Sequence, residues 1–202
     1  MSEQWSGESR ESIKETEHSI LINGKSMEYS AFAGYIPLFL DESRKIGEMF
    51  FVSYKKKVRQ NEEKRPVSFI LDGGPGASSI MLHMNFFGPR QVAGTEKGID
   101  LPEMPYRFAD NENTLLTHSD LVFIDPVGTG FSRPEEGVDP YKTFWGVKQD
   151  IDSICQFIQR YMAQNRLFGS PLYLEGKATA DSAAGHWHPH FRNGEFSRRA
   201  SC

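Results

Sequence analysis

The chain has 202 residues, of which 38% are apolar and 25% charged, and its formal net charge is −4. This length suffices for one domain with a substantial core. The mildly acidic balance gives no electrostatic basis for binding nucleic acid or an anionic membrane. No apolar run is long enough to span a bilayer, and two cysteines do not make a disulfide framework. We therefore expect a cytoplasmic protein with no nucleic-acid or membrane partner.

The sequence divides into three parts. Residues 1–17 are polar and acidic, lack the apolar core of a signal peptide, and are predicted to form a disordered tail. Residues 18–176 alternate between apolar runs and polar connections and are predicted to form the folded domain. Residues 177–202, KATADSAAGHWHPHFRNGEFSRRASC, follow neither a strand nor a helix period and are predicted to be a second disordered tail.

The first half of the domain shows strand signals. Asn23-Gly24 lies between two apolar segments and predicts a two-residue hairpin. The aromatic-rich segment 47–56 predicts a strand, and 66–76 (PVSFILDGGPG) predicts a short buried strand that runs into a glycine-proline turn. Residues 77–90 predict a helix that breaks at Gly88-Pro89.

The second half alternates strand and helix signals. Residues 121–125 (LVFID) form a near-continuous apolar run, and 171–176 (PLYLEG) are also strand-like. Between them, apolar residues recur at helical spacing over 144–161 and predict an amphipathic helix. Strands that do not alternate in polarity, joined through helices, predict an α/β protein with a largely parallel sheet.

Two glycine-rich turns follow predicted buried strands. In 71–79 (LDGGPGASS), glycines let backbone N–H groups point at a ligand, and the helix start adds the positive end of its dipole. That arrangement suits an oxyanion hole or an anion site. The stretch 125–134 (DPVGTGFSRP) has the same character. Taken alone, the first turn is equally explained as a tight structural connection, and the second is better explained as a structural loop than as a site.

Taken together, ordered motifs resemble those of the serine carboxypeptidase family, most closely its bacterial members. They are LDGGPGASSIMLHMNFFGPRQV, NTLLTHSDLVFIDPVGTGFSRP and SPLYLEG, with SAFAGYIPL similar to an early strand of the family. The similarity covers about residues 20–176. It implies an α/β-hydrolase fold that is incomplete, with the N-terminal strands and first helices of a mostly parallel sheet. It also implies the family's chemistry, in which a Ser-Asp-His triad removes the last residue of a peptide.

The resemblance assigns roles to residues in both turns. Gly74 would supply one backbone N–H of the oxyanion hole, and Gly73 with the residue before it would hold the terminal carboxylate of the peptide. Gly128 and Gly130 would line the substrate cleft. The residue before Gly73, commonly Asn in the family, is Asp72 here. An ionised Asp72 would repel that carboxylate unless it is protonated or paired. The implied partner is a peptide C-terminus, and no cofactor is implied.

The family's nucleophile lies in Gly-Glu-Ser-Tyr-Gly, a G-x-S-x-G turn after the LYL-x-G strand. In this chain Gly176 is followed by Lys-Ala-Thr-Ala, and no G-x-S-x-G occurs anywhere. Ser78 and Ser79 come closest, but GASSI lacks the second glycine. The triad Asp and His follow Ser in the chain order of this fold, so they are expected beyond residue 202. We therefore expect no catalytic residue here and no hydrolytic activity.

One change of reading frame would explain the missing serine. Lys-Ala-Thr-Ala is encoded by AAR-GCN-ACN-GCN, and one added G before it allows GAA-AGC-TAC-GGC, which is Glu-Ser-Tyr-Gly. With Gly176 in front, the shifted frame spells the missing turn. Residues 177–202 are accordingly predicted to be translated out of frame, the alternative being a genuine divergent sequence.

The histidines do not indicate a metal centre. His186, His188 and His190 alternate in HWHPH, but no carboxylate or cysteine completes a ligand set, so we predict no metal site. His83 and His118 are predicted to be structural or surface residues.

Two other functions fit the same residues. The first is a non-catalytic module that binds a peptide or an anion at the Gly73–Ser79 turn. The second is an active hydrolase whose nucleophile is Ser78 or Ser79.

Overall fold

A mixed β-sheet organises the parts of the chain that the computed structural model describes, which are residues 13–58, 64–72, 76–93 and 107–176. The strands are β1 (Lys14–Ile22), β2 (Lys25–Phe39), β3 (Lys45–Lys56), β4 (Val67–Leu71), β5 (Arg90–Val92), β6 (Phe108–Asp110), β7 (Asp120–Ile124), β8 (Arg133–Pro134) and β9 (Leu172–Gly176). The helices are α1 (Ile80–Leu82), which continues as a π-helical turn over His83–Phe87, then a 3-10 turn over Leu115–Thr117, α2 (Pro140–Thr143) and α3 (Val147–Gln164). Strands of the main sheet lie in the order β1-β2-β3-β7-β4-β9, with β8 against β3, and β5 pairs separately with β6.

The first three strands are joined by hairpins. Ile22 pairs with Lys25, so Asn23 and Gly24 form the two-residue turn that their sequence predicts. Both have positive φ, 48° and 74°, as a type I′ turn requires. The predicted strand at 47–56 is confirmed as the main part of β3, which pairs antiparallel with β2.

The prediction of a largely parallel sheet is correct only for the pairs that β4 makes with β7 and β9. β4 pairs in parallel with β7 and with β9, whereas β1–β2, β2–β3, β3–β7 and β3–β8 are antiparallel. For β1–β2 and β2–β3 the physical reason is the length of the connections. Two-residue and five-residue turns reverse the chain between the first strands, while parallel neighbours need a longer crossover.

Two layers of side chains pack on opposite faces of the sheet, because alternate residues of β4 and β7 point to opposite sides. The α3 face consists of sheet residues such as Phe51, Phe69 and Val122 packed on α3. The α1 face is smaller, and its buried residues are Ile20, Met27, Tyr29, Ile70, Leu82, Leu116, Leu121 and Phe123. All five residues of β4 are buried because the strand has neighbours on both sides and layers on both faces.

Several predicted boundaries shift. β1 begins at Lys14, so residues 14–17 belong to a strand rather than to the predicted N-terminal tail. The helix predicted at 77–90 is the shorter segment 80–87, and it ends at Gly88 as expected. The predicted helix at 144–161 is α3, displaced by three residues at each end. The predicted tail at 177–202 and residues 1–12 lie outside the described residues.

Candidate functional site

The carboxyl ends of β7, β4 and β9 lie side by side at one edge of the sheet. β4 is the middle strand of the three, and Leu71 at its end lies opposite Gly176 at the end of β9. Asp72 follows β4 and Asp125 follows β7. Segments that follow the carboxyl ends of adjacent parallel strands are the usual ligand sites of open α/β sheets. The fold therefore brings both predicted turns, and the point where the nucleophile turn should begin, to one place.

Ser79 fastens the end of the first turn to the sheet. Its side-chain hydroxyl lies 3.2 Å from the carbonyl oxygen of Ile70 and also contacts the carbonyl oxygen of Ile124. The residue is only 2% exposed. A buried hydroxyl that is engaged with strand-end carbonyls is poorly placed to attack a substrate, so Ser79 acts as a structural link rather than as the nucleophile considered above.

Asp125 links the two turns through its carboxylate. Oδ1 accepts a hydrogen bond from the backbone N–H of Ser79 at 3.0 Å, and Oδ2 accepts one from the backbone N–H of Phe131 at 3.3 Å. Burial raises the pKa of Asp125, while these two N–H donors and the Arg133 guanidinium oppose the increase. No sequence pattern singled out Asp125, because an Asp at the end of a strand is equally common as a simple turn former.

The second turn is held by its own hydrogen bonds. Ser132 donates from its hydroxyl to the carbonyl oxygen of Asp125 at 2.6 Å and accepts from the N–H of Phe50 at 2.7 Å. The N–H of Ser132 donates to the carbonyl oxygen of Thr129, and the N–H of Thr129 donates to that of Pro126, both at 2.9 Å. This loop therefore presents a fixed surface to the cleft rather than an adaptable one.

Both glycines predicted to line the cleft are in close contact with other residues. A Cβ at Gly130 would lie 1.8 Å from Oδ2 of Asp125. A Cβ at Gly128 would lie 2.8 Å from Nε1 of Trp145, whose indole N–H donates to the carbonyl oxygen of Val127 at 3.1 Å. Each position thus requires glycine because a neighbouring group occupies the space of a side chain.

An aromatic pair beside this loop was not predicted. Trp145 is 50% exposed, Tyr141 is 75% exposed, and their rings meet edge to face with centroids 4.5 Å apart. Phe144, the residue before Trp145, is buried in the α3 face, whereas Trp145 and Tyr141 are not. The helical spacing of apolar residues predicted a helix over 144–161 that included Trp145. It therefore did not indicate that this tryptophan is exposed.

The residues assigned to the peptide carboxylate are only partly within the described chain. Asp72 is partly buried at the end of β4, directly before the turn. Gly73 and Gly74 lie outside the described residues, so their predicted roles stay predictions. The histidines at 186, 188 and 190 also lie outside them, and the described residues contain no cluster of three or more His, Cys, Asp or Glu side chains that could hold a metal ion.

His83 is a structural residue on the α1 face, as predicted. Its ring stacks on Phe123 with centroids 4.4 Å apart, and its Nε2 lies 2.6 Å from the hydroxyl oxygen of Tyr54. Burial lowers the pKa of His83 to about 4, so the ring is neutral at neutral pH. His118 is exposed on the surface. In the described residues, no helix is long and apolar enough to cross a membrane.

Comparison with known proteins agrees with this geometry. The sequence model of the family described as serine carboxypeptidase matches residues 22–198. Serine carboxypeptidase-like 42 of Arabidopsis thaliana is 30% identical over 164 residues, which are 80% of this chain and 30% of that protein. The pheromone-processing carboxypeptidase KEX1 of Saccharomyces cerevisiae is 28% identical over 170 residues, which are 80% of this chain and 22% of that protein.

A solved structure shows the same fold. The crystal structure of the prohormone-processing carboxypeptidase KEX1 from Saccharomyces cerevisiae superposes with a TM-score of 0.58 at 23% identity, over 82% of this chain and 36% of that one. The chain thus spans less than a third of the length of the curated relatives above, and it has part of an α/β-hydrolase fold, as expected. The family match, the ordered motifs and the shared fold agree: this chain belongs to the serine carboxypeptidase family.

Proposed function

We propose that this chain forms the peptide-binding and oxyanion part of a serine carboxypeptidase site, and that it does not itself hydrolyse peptides. One observation carries the proposal. β9 ends at Gly176 beside the end of β4, so the chain leaves the sheet next to the turn that starts at Asp72. In G-x-S-x-G that exit leads to the nucleophile, but the sequence 176–180 places Ala178 at the position of the serine.

In the family reaction, a serine oxygen attacks the last peptide carbonyl, a histidine carries the proton, and backbone N–H groups hold the oxyanion. This chain supports the binding steps of that reaction. The turn after β4 would bind the terminal carboxylate and the carbonyl oxygen of the peptide. The loop after β7, which is held by its own hydrogen bonds, would form one wall of the cleft. Without an attacking oxygen beside that wall, the bound peptide stays intact.

Hydrolysis is tested with N-blocked dipeptides that have a free C-terminus. We expect no release of the last amino acid above the rate without protein. Turnover that a serine-directed phosphonate abolishes would show that the chain has a competent nucleophile and would contradict the proposal.

Binding is tested separately by NMR, with an acetylated peptide acid and the same peptide as its C-terminal amide. We expect the acid to shift the amide signals of Gly128 and Gly130 and to bind more tightly than the amide. Equal affinity for both would exclude recognition of the carboxylate. Tighter binding of the acid than of the amide would distinguish the proposed site from a general apolar peptide-binding surface.

Asp72 should weaken this binding, because a second negative charge lies at the carboxylate position. We expect Asp72→Asn to tighten binding of the peptide acid by about tenfold or more, since like charges a few ångströms apart near a protein surface repel by a few kcal/mol. The amide peptide should gain much less. Glu28→Gln is the control, because Glu28 precedes Tyr29, which pairs with Lys56 at the opposite end of the sheet. An unchanged affinity in D72N would show that the carboxylate binds elsewhere.

We also infer that a change of reading frame removed the serine. The bases AAA-GCT-ACG-GC from codon 177 would support the inference, and any other bases there would contradict it. The family match continues through this point to residue 198. The alternative is that residues 177–202 are a native segment translated in frame, and the same bases distinguish the two.

A further inference from the structure

One carboxylate holds two separate segments of the candidate site. Asp125 accepts N–H donors from Ser79, at the end of the turn after β4, and from Phe131, in the loop after β7. These segments are far apart in sequence, and they approach each other only because β4 and β7 are parallel neighbours. The two hydrogen bonds therefore join the two walls of the cleft directly.

The space around Asp125 leaves the carboxylate little freedom. Gly130 has φ of +45°, and a Cβ there would lie 1.8 Å from Oδ2 of Asp125 and 3.1 Å from the Cβ of Ser78. The backbone of Asp125 is also fixed, because its N–H donates to the carbonyl oxygen of Phe50 at 3.1 Å. A shift of the loop at Gly130 must therefore move the carboxylate, and with it the turn that ends at Ser79.

Partial burial disfavours the charge of the Asp125 carboxylate, because an ionised group loses hydration when it is buried. Burial raises the pKa of Asp125, and Arg133 compensates only in part from a distance, since its guanidinium donates to the carbonyl oxygens of Gly130 and Ser132. A neutral side chain could not accept both N–H donors with equally strong bonds. The carboxylate thus holds both segments although partial burial disfavours its charge.

We propose that Asp125 is a positioning residue that sets the distance between the turn after β4 and the loop after β7. It acts through the backbone N–H groups of Ser79 and Phe131, from which its carboxylate accepts hydrogen bonds. Its use in peptide binding rests on the proposed function above, because that function assigns the peptide to the space between these segments. The mechanical link itself does not depend on any ligand.

The link is tested by amide hydrogen exchange on the whole chain in four forms: wild type, Asp125→Asn, Gly130→Ala and the double variant. We expect both single variants to speed exchange at the Ser79 amide by about tenfold or more, because its acceptor is lost or displaced. The double variant should show no further increase, since both changes act through one contact. The amide of Phe69 in β4 should exchange at the wild-type rate.

Two matched controls separate this effect from general damage. Asp150→Asn removes another partly buried carboxylate whose pKa is raised by burial, but one that makes no side-chain hydrogen bond to a described residue. Gly137→Ala introduces a side chain at a similarly positive φ of +79°, where nothing lies within 4 Å. Both should leave the Ser79 amide unchanged.

The outcomes are decisive in either direction. Wild-type exchange at Ser79 in Gly130→Ala, or equal acceleration at Phe69, would overturn the proposal. Affinity for the peptide acid should fall about tenfold in Asp125→Asn, and unchanged affinity with faster exchange at Ser79 would reduce Asp125 to a structural residue. Failure of the wild type to bind any peptide would contradict the proposed function alone, because the exchange measurements contain no ligand.

Discussion

The two faces of the sheet are covered in different ways. On the α3 face, a helix of 18 residues places Phe157 and Tyr161 against Phe51 of the sheet, and all three rings are buried. On the α1 face, a much shorter helical segment lays the imidazole of His83 on Phe123 and contacts Tyr54 through a single polar pair. The α3 face is therefore stabilised by burial of apolar side chains, and the α1 face is stabilised partly by the titratable ring of His83.

This difference matters because the α1 segment directly follows the turn of the candidate site. The buried residues of the α3 face stabilise the fold mainly through their apolar area, and burial of apolar area is insensitive to pH. The α1 face needs a neutral histidine, because a charged ring would have to be buried beside an aromatic ring and a hydroxyl. Lowering the pH should therefore destabilise the α1 face, which adjoins the candidate site, before it destabilises the α3 face.

The largest expected effect is on the α3 face. Phe157→Ala should lower the free energy of unfolding by about 3–5 kcal/mol, because Phe157 is fully buried and the neighbouring rings cannot close the cavity. Urea unfolding followed by circular dichroism measures the loss, which should be the same at pH 5 and pH 7. Phe168→Ala, at an exposed phenylalanine, is the control and should change stability by less than about 0.5 kcal/mol. A pH-dependent loss for Phe157→Ala would break the contrast between the faces.

A smaller, pH-dependent effect is expected on the α1 face. Burial lowers the pKa of His83 from 6.5 to about 4, so between these values the unfolded chain binds a proton that the folded chain does not. Stability from this group is therefore complete above about pH 6.5 and is lost as pH falls toward 4, by about 3 kcal/mol in total. In His83→Phe, that loss should disappear, and the variant should be about 1 kcal/mol less stable than wild type at pH 7, because the contact with Tyr54 is missing.

The quantity to compare is the difference in free energy of unfolding between wild type and His83→Phe at each pH. The difference is needed because Asp125 and Asp150 change the stability with pH in the direction opposite to His83. Burial raises the pKa of both carboxyls, so they favour the folded state as pH falls. His118→Gln, at an exposed histidine, is the matched control and should keep the wild-type slope. The same slope in His83→Phe would show that the α1 face does not depend on this ring.

The smallest effect concerns the hairpin that supplies Ile20 and Met27 to the α1 face. Gly24→Ala should cost about 1 kcal/mol, because φ of +74° is unfavourable for a residue with a Cβ although nothing lies within 4 Å of it. Thermal unfolding measures the change. Asn23→Gly at the neighbouring left-handed position should stay within a few tenths of a kcal/mol. A loss in Gly24→Ala as large as that in Phe157→Ala would make the hairpin, rather than α3, the main support of the sheet.

Local patterns predicted the elements well. The Asn23-Gly24 turn, the buried runs of β4 and β7 and the period of α3 depend on neighbours in sequence, and each is present. The sense of strand pairing was not predictable in the same way. β3 and β7 are antiparallel partners separated by a long stretch of chain, and nothing within either strand indicates its direction relative to the other.

For the site, the motifs placed two glycine-rich turns together, and the topology confirms that they follow neighbouring strands. The contacts that hold them were not visible in the sequence. The carboxylate of Asp125 bonds a backbone N–H in a remote segment, and the indole of Trp145 fills the space that Gly128 leaves empty. Such contacts are set by tertiary geometry, so a glycine or an aspartate in a turn motif does not reveal its partner.

The parallel register of β4 and β9 has a consequence for redesign. Residues advance by about 3.3 Å along a strand and alternate between its two faces. Substitutions after Gly176 would therefore change which chemical group arrives at the sheet edge without changing where the chain arrives. One residue added or removed within β9 would instead move that point by about one strand step and turn the side chains of β9 to the other face. The length of this five-residue strand, rather than its composition, is the quantity to keep constant when a nucleophile is installed.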